Sequence, residues 1–261
     1  MEWQGLPAID LNLAQGDAVR ITLQGAQVLS WVSGGEERMF LSPQAAHDGK
    51  TAIRGGIPVC FPQFNQRGPL VKHGFARTMP WVADAAQPLG ADGVQLTLRL
   101  SDTEAIRAVW PHAFEATLTV QLRPGQLRVA LAVHNRGPQV LPFTAALHSY
   151  LRVPHGAPAQ LWGLQGIRYW DAAAPEPDTF CVQSGAVALG AEVDRVYPRA
   201  AGALELRSGD RPWLRIAQDS AWLQTVVWNP GSLLCATLGD MQADSWQHML
   251  CVEAASIDEP V

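Results

Sequence analysis

The residues best suited to proton chemistry stand in two short apolar segments. One is Ala145-Ala146-Leu147-His148-Ser149-Tyr150-Leu151-Arg152-Val153. Read as a strand, it puts Leu147, Leu151 and Val153 on one face and His148, Tyr150 and Arg152 on the other, because successive side chains alternate. A histidine titrates near neutrality and suits proton transfer. The same pattern also fits a histidine satisfied at the edge of a core. The second segment is Met249-Leu250-Cys251-Val252-Glu253-Ala254-Ala255. With Leu250 and Val252 inward, Glu253 turns to the opposite face, between Cys251 and Ala255. A carboxylate in so apolar a strand is partly desolvated, which raises its pKa and makes it a usable base. A buried ion pair with an arginine satisfies the pattern equally.

A third stretch suits anion binding. Arg54-Gly-Gly-Ile-Pro-Val-Cys-Phe-Pro-Gln-Phe64 is followed, after a short loop, by Lys72-His73-Gly-Phe-Ala-Arg77. Paired glycines and repeated prolines make a rigid, irregular backbone of the kind found at turns or where a ligand comes close. Arg54, Lys72 and Arg77 can together hold a phosphate, with arginine forking onto two oxygens and lysine adding a point charge; ordinary surface salt bridges are the alternative. Asp194, in Glu192-Val-Asp-Arg-Val-Tyr197, is either an acceptor for sugar hydroxyls or a solvated loop residue.

Several chemistries are excluded by what the chain lacks. It has no Gly-x-Ser-x-Gly elbow, no P-loop and no Gly-x-Gly-x-x-Gly after a strand. Its seven histidines show neither His-x-His nor His-x-x-x-His spacing, so a metal site would have to be assembled from distant residues. Neither a metal nor a nucleotide cofactor is expected. A formal net charge of −5 argues against nucleic acid as a partner, although a small anion needs only two or three cations. The four scattered cysteines fit a reduced compartment, and the N-terminus has no basic start followed by an apolar run. A cytoplasmic protein, a monomer without membrane attachment, is expected. Residues 220–239 are uncharged but interrupted by Asn229-Pro230-Gly231, which makes them two short elements and not a membrane span.

The elements that must position these residues read as strands. Val94, Leu96, Leu98 and Leu100 alternate with Gln95, Thr97 and Arg99, and the same period holds over 114–122 and 127–133. Between the last two, Arg123-Pro124-Gly125-Gln126 reads as a hairpin turn. Residues 19–23, 27–31, 204–206, 213–217 and 221–228 are further strand candidates, and no helical periodicity persists for three turns. The expectation is an all-β chain, a large antiparallel β-sandwich forming a single domain over 1–261. Pro/Gly-rich stretches at 154–158 and 172–178 are loop-sized, too short for domain linkers.

Taken together and in order, these segments resemble the glucose-6-phosphate 1-epimerase branch of the aldose 1-epimerase family. The matching text is Arg54-Gly-Gly-Ile-Pro-Val-Cys-Phe-Pro-Gln-Phe, His73-Gly-Phe-Ala-Arg77 and His148-Ser-Tyr-Leu-Arg-Val, followed by Asp194-Arg-Val-Tyr, Val227-Trp-Asn-Pro230 and Cys251-Val-Glu-Ala254. The resemblance implies a twisted antiparallel sandwich of the galactose mutarotase type and a cofactor-independent isomerase that interconverts the anomers of a hexose 6-phosphate. It implies His148 as general acid and Glu253 as general base. Arg54, Lys72 and Arg77 would meet the substrate phosphate, with His73 and Asp194 lining the sugar; Lys72 stands where many relatives carry another polar residue. Two rivals accompany this expectation: a mutarotase for neutral aldoses, and a silent carbohydrate-binding or sensing protein on the same fold.

Overall fold

In the computed structural model, residues 1–154, 158–176, 179–200 and 202–258 are described, and their regular structure is overwhelmingly antiparallel strand. Of the two expected loops, residues 155–157 and 177–178 lie outside the described residues. The alternating meander forms as its pattern requires. Along Phe114–Arg123 every second side chain, Phe114, Ala116, Leu118, Val120 and Leu122, is buried. Each CH2 so withdrawn from water stabilises the sheet by about 0.8 kcal/mol. The strand pairs with Gly93–Ser101 on one side and Gln126–Asn135 on the other. Arg123 lies opposite Gln126, so Pro124 and Gly125 make the turn, with Gly125 at φ +67° where a left-handed residue is needed.

The described strands form four sheets. One is built from the N-terminal strands Glu2–Trp3 to Glu36–Glu37 and one from the meander; a third joins Val187–Ala188, Ala159–Trp162, Leu204–Ser208 and Arg211–Ile216. The fourth is eight-stranded and carries the chemistry: Gln224–Asn229, Met249–Ser256 and Ala145–Leu147 are neighbours in its interior, with Val59–Cys60 at one edge. A single hydrophobic cluster takes in Leu11 and Val19, Leu96 to Leu100, Leu161 and Leu206, and Leu250 and Val252, so all four sheets contribute to it. The fold is the expected antiparallel β-sandwich. Among the described residues no helix is long and apolar enough to cross a membrane.

Two strand expectations need adjusting. The candidate over 221–228 begins at Gln224. The single strand expected over 145–153 is two, Ala145–Leu147 and Tyr150–Arg152. The interruption has a partner: His148 N–H donates to Pro58 O at 3.0 Å and Tyr150 N–H to Gly56 O at 2.8 Å. The irregular Arg54-to-Cys60 stretch thus runs antiparallel beside this segment, and Pro58 has no N–H with which to complete a regular ladder. Face assignments survive the break, since Leu147, Leu151 and Val153 all join the main core.

Candidate active site

Register brings His148 and Glu253 together. Met249–Ser256 pairs Leu147 with Ala254 and Tyr150 with Cys251. Counting inward from both ends sets His148 opposite Glu253. Val252 and Leu250 face the core, so Glu253 emerges on the other face. There His148 Nδ1 lies 3.4 Å from Glu253 Oε1. Both side chains are almost wholly withdrawn from solvent, Glu253 at 1% and His148 at 8% exposure. His148 Nδ1 and Glu253 Oε2 nevertheless make no hydrogen bond to the described residues. The close approach is therefore misaligned as a hydrogen bond. Buried polar atoms left without partners are uncommon in folded proteins, and here one belongs to each member of the pair.

Around the pair the site is stiffened. The His148 ring stacks on Tyr150, centroids 4.7 Å apart and planes 8° from parallel, and the Trp228 ring stands edge-on to both. Tyr150 Oη accepts a hydrogen bond from Arg54 Nη1 at 2.9 Å, and Arg54 Nε donates to Asp240 Oδ2 at 2.9 Å. Although burial works against the charge on Arg54, Tyr150 and Asp240 more than offset it and hold the guanidinium protonated. The glycines after Arg54 are what let the strand pass here. A Cβ on Gly56, whose φ is +61°, would sit 2.0 Å from Val28 O.

His73 reaches the site through two successive left-handed residues, itself at φ +65° and Gly74 at +69°. Its ring centroid is 5.5 Å from that of His148. Asn65 N–H donates to His73 Nδ1 at 3.3 Å, and Cys60 Sγ approaches the same nitrogen at 3.3 Å. Nδ1 is therefore an acceptor, which leaves the proton on Nε2 as a donor. Burial, then the charges of Arg77, Lys72 and Arg54, push the His73 pKa down to about 3, so the ring stays neutral.

The same physics acts on His148 and Glu253. Burial above all, then His73, Arg54 and Arg77, drives His148 well below the usual histidine range. Burial, then the Asp194 charge, drives Glu253 well above the carboxylate range. Both residues are thus held toward their uncharged forms. Asp194 is raised to about 6 by burial and by Glu192, with Lys72 and Arg67 pulling the other way.

All seven residues singled out from the sequence therefore gather within electrostatic reach of one another. His148 and Glu253 are in direct approach, and His73 flanks them. Arg54 connects through Tyr150. Arg77 folds back so that Nη2 donates to Lys72 O at 2.7 Å. Lys72 is exposed at the rim and acts on both His73 and Asp194. Three further participants were not singled out from the sequence as site residues. Tyr150 was legible, being two residues from His148 on the same face. Asp240 carries no local signal, because its partner Arg54 lies 186 positions away. Arg67, stacked over the Trp170 ring at 4.6 Å, is an ordinary loop arginine in sequence. One further grouping emerges: donor atoms of His148, Cys251 and Glu253 all lie within 4.8 Å of one another.

A cavity of about 970 Å³ opens on the reverse face of the same sheet, lined by Leu147, Ser149, Leu151, Val252 and Ala254 together with the strand Gln126–Asn135. Strand alternation turns His148 and Glu253 away from it. The unpartnered atoms His148 Nδ1 and Glu253 Oε2 therefore belong to the opposite face of the sheet.

Residues 7–261 match the family model for aldose 1-epimerase. A protein of Cenchrus ciliaris named "Putative glucose-6-phosphate 1-epimerase" is 33% identical over 98% of this chain and 80% of its own length. An Escherichia coli K12 protein of the same name is 34% identical over 97% of this chain and 85% of its own. A crystal structure titled as a "putative mutarotase" from Salmonella typhimurium superposes with a TM-score of 0.84 at 29% identity, covering 99% of this chain and 86% of that one.

Proposed function

The chain belongs to the aldose 1-epimerase family and is an isomerase of sugar anomers, and on that premise we propose that it acts on a hexose 6-phosphate, with His148 and Glu253 moving the protons. The observation that carries the reading is the buried pair itself. An imidazole and a carboxyl group 3.4 Å apart, each with an unpartnered polar atom, lie beneath a rim bearing Arg54, Arg77 and Lys72.

Ring opening of a hemiacetal requires a proton on the ring oxygen and removal of the proton from the C1 hydroxyl. His148 supplies the first and Glu253 accepts the second; after rotation about C1–C2 the two exchange roles and the ring closes on the other face of the aldehyde. During the open-chain interval His148 is neutral and Glu253 protonated, the form that burial favours for the pair. Entry of the cyclic sugar brings hydroxyl donors to the Glu253 carboxylate, and hydrogen bonds to a charged form favour it. One proton then passes from Glu253 to His148 with no change in the net charge of the site. Positioned acid/base assistance is worth about 10² to 10⁴ in rate, enough for a reaction that already proceeds unaided.

The neutral Nε2–H of His73 donates to a sugar hydroxyl and Asp194 accepts from another. Arg77, Lys72 and Arg54 supply charge for the phosphate end. We read the chain as one domain, supported by the core cluster shared between all four sheets. A monomeric cytoplasmic enzyme without nucleic-acid partners agrees with its net charge of −5 and its free cysteines. The test is exchange NMR between the anomers of glucose 6-phosphate and, separately, of glucose. Acceleration of the phosphorylated sugar well beyond the free sugar is expected. Equal acceleration of both would remove the phosphate from the proposal, and none for either would leave only a binding protein.

A further inference from the structure

We propose that the floor of this site is also a binding site for a thiophilic divalent cation of the zinc class, held by His148, Cys251 and Glu253, and that the bound ion blocks the enzyme. The mechanism makes no use of Cys251. Its thiol is buried, with Tyr150 opposite it across the ladder, and stands two residues from Glu253 on the same face. Cys251 and Glu253 are fixed by the strand Met249–Ser256, and His148 by the break between the two strands paired beside it. They offer an imidazole nitrogen, a sulfur and a carboxylate oxygen, the set that selects zinc over magnesium or calcium.

The spacing is close to what such an ion requires. Bond lengths of about 2.0–2.3 Å in a tetrahedral arrangement imply donor atoms roughly 3.3–3.7 Å apart. His148 Nδ1 and Glu253 Oε1 already stand at 3.4 Å, and all three donors lie within 4.8 Å of one another. Closing the remainder takes side-chain movements of about 1 Å. Independently, His148 Nδ1 and Glu253 Oε2 have no hydrogen-bond partner, so an ion would displace no existing bond from either. Three protein ligands leave a fourth position open toward the cleft. Since two of the ligands are the proposed acid and base, the ion inhibits and does not assist.

Metal-free protein titrated with Co²⁺ should develop a thiolate-to-cobalt charge-transfer band in the near ultraviolet, saturating at one equivalent and abolished by added Zn²⁺. Zn²⁺ should inhibit anomerisation in competition with sugar, and a chelator should restore the rate. Loss of a residue merely supporting a metal ligand costs about 10- to 100-fold in affinity, so Cys251→Ala, which removes a ligand itself, should weaken Zn²⁺ inhibition by at least about 100-fold. Cys181→Ser, which removes the half-exposed thiol, should leave both signals intact. No thiolate band in the wild type, a band lost in Cys181→Ser, or undiminished Zn²⁺ inhibition in Cys251→Ala would each overturn the site. Should Cys251→Ala fail to fold, Cys251→Ser keeps the size of the side chain, and a thiolate band that persists in it would assign the sulfur to another cysteine and overturn the site. The spectrum reports the ion whether or not hexose phosphates are the substrate, so failure of the metal site and failure of the functional reading remain separate results.

Discussion

Replacing Glu253 by Gln should slow the enzyme and stabilise the protein, with the stabilisation depending on pH in a calculable way. Glutamine keeps the shape and hydrogen-bonding reach of the side chain but neither ionises nor accepts a proton. The rate should fall by about 10² to 10⁴. Stability follows from linkage. Glu253 is 1% exposed and its pKa in the fold is raised above the ordinary 4.5, with burial the main cause. A carboxyl group raised in this way contributes its full stability below the unfolded pKa, and that contribution is lost as pH rises toward the folded pKa. The advantage of the variant should therefore be pH-independent below 4.5 and grow above it by about 1.4 kcal/mol per pH unit until the folded pKa is passed. Urea unfolding of both proteins between pH 4 and 8, with anomerisation followed by NMR on the same samples, measures both quantities. A difference in stability that stays flat above pH 4.5, or a variant as fast as the wild type, would show the reasoning to be wrong.

The other side of the site should respond oppositely to pH. His73, lowered from 6.5 to about 3, keeps its full contribution above pH 6.5 and loses it as pH falls toward 3. That range of about 3.5 units at about 1.4 kcal/mol each is worth roughly 5 kcal/mol. Acid unfolding monitored by tryptophan fluorescence should be shallower in His73→Gln. Arg77→Ala should raise KM for a hexose 6-phosphate by about 10- to 100-fold, the worth of a hydrogen bond to a charged group, while free hexose is unaffected; steady-state kinetics on the two sugars tests this. Gly74→Ala places a Cβ 2.2 Å from Phe61 O at a φ of +69°. A lower Tm and loss of the His73 orientation are expected, with a cost of at least about 1–3 kcal/mol from the backbone conformation alone; thermal unfolding measures it.

What could be read from the chain and what could not divide along a physical line. The faces of the segments around His148 and Glu253 follow from a period of two, a local property, and both proved right. That the two residues stand opposite each other follows from register, which is set by pairing between strands about a hundred positions apart and leaves no local trace. The break between Leu147 and Tyr150 has the same origin: it depends on Gly56 and Pro58 lying alongside. Arg54 was recognised as a cation suited to phosphate, but its attachment to Tyr150 and Asp240 is invisible in sequence. That attachment holds the tyrosine against which His148 stacks.

The pairing of Ala145–Leu147 and Tyr150–Arg152 against Met249–Ser256 also governs which changes of chain length the molecule can absorb. One residue inserted into either partner would reverse the side chains beyond it, turning His148 or Glu253 into the apolar interior. Two inserted residues would keep the faces and still move His148 away from Glu253 by about 7 Å, at roughly 3.4 Å per residue. The curated relatives are longer than this chain, which spans 80–86% of their length. Any enzyme that keeps the same pair must carry its extra length outside these strands.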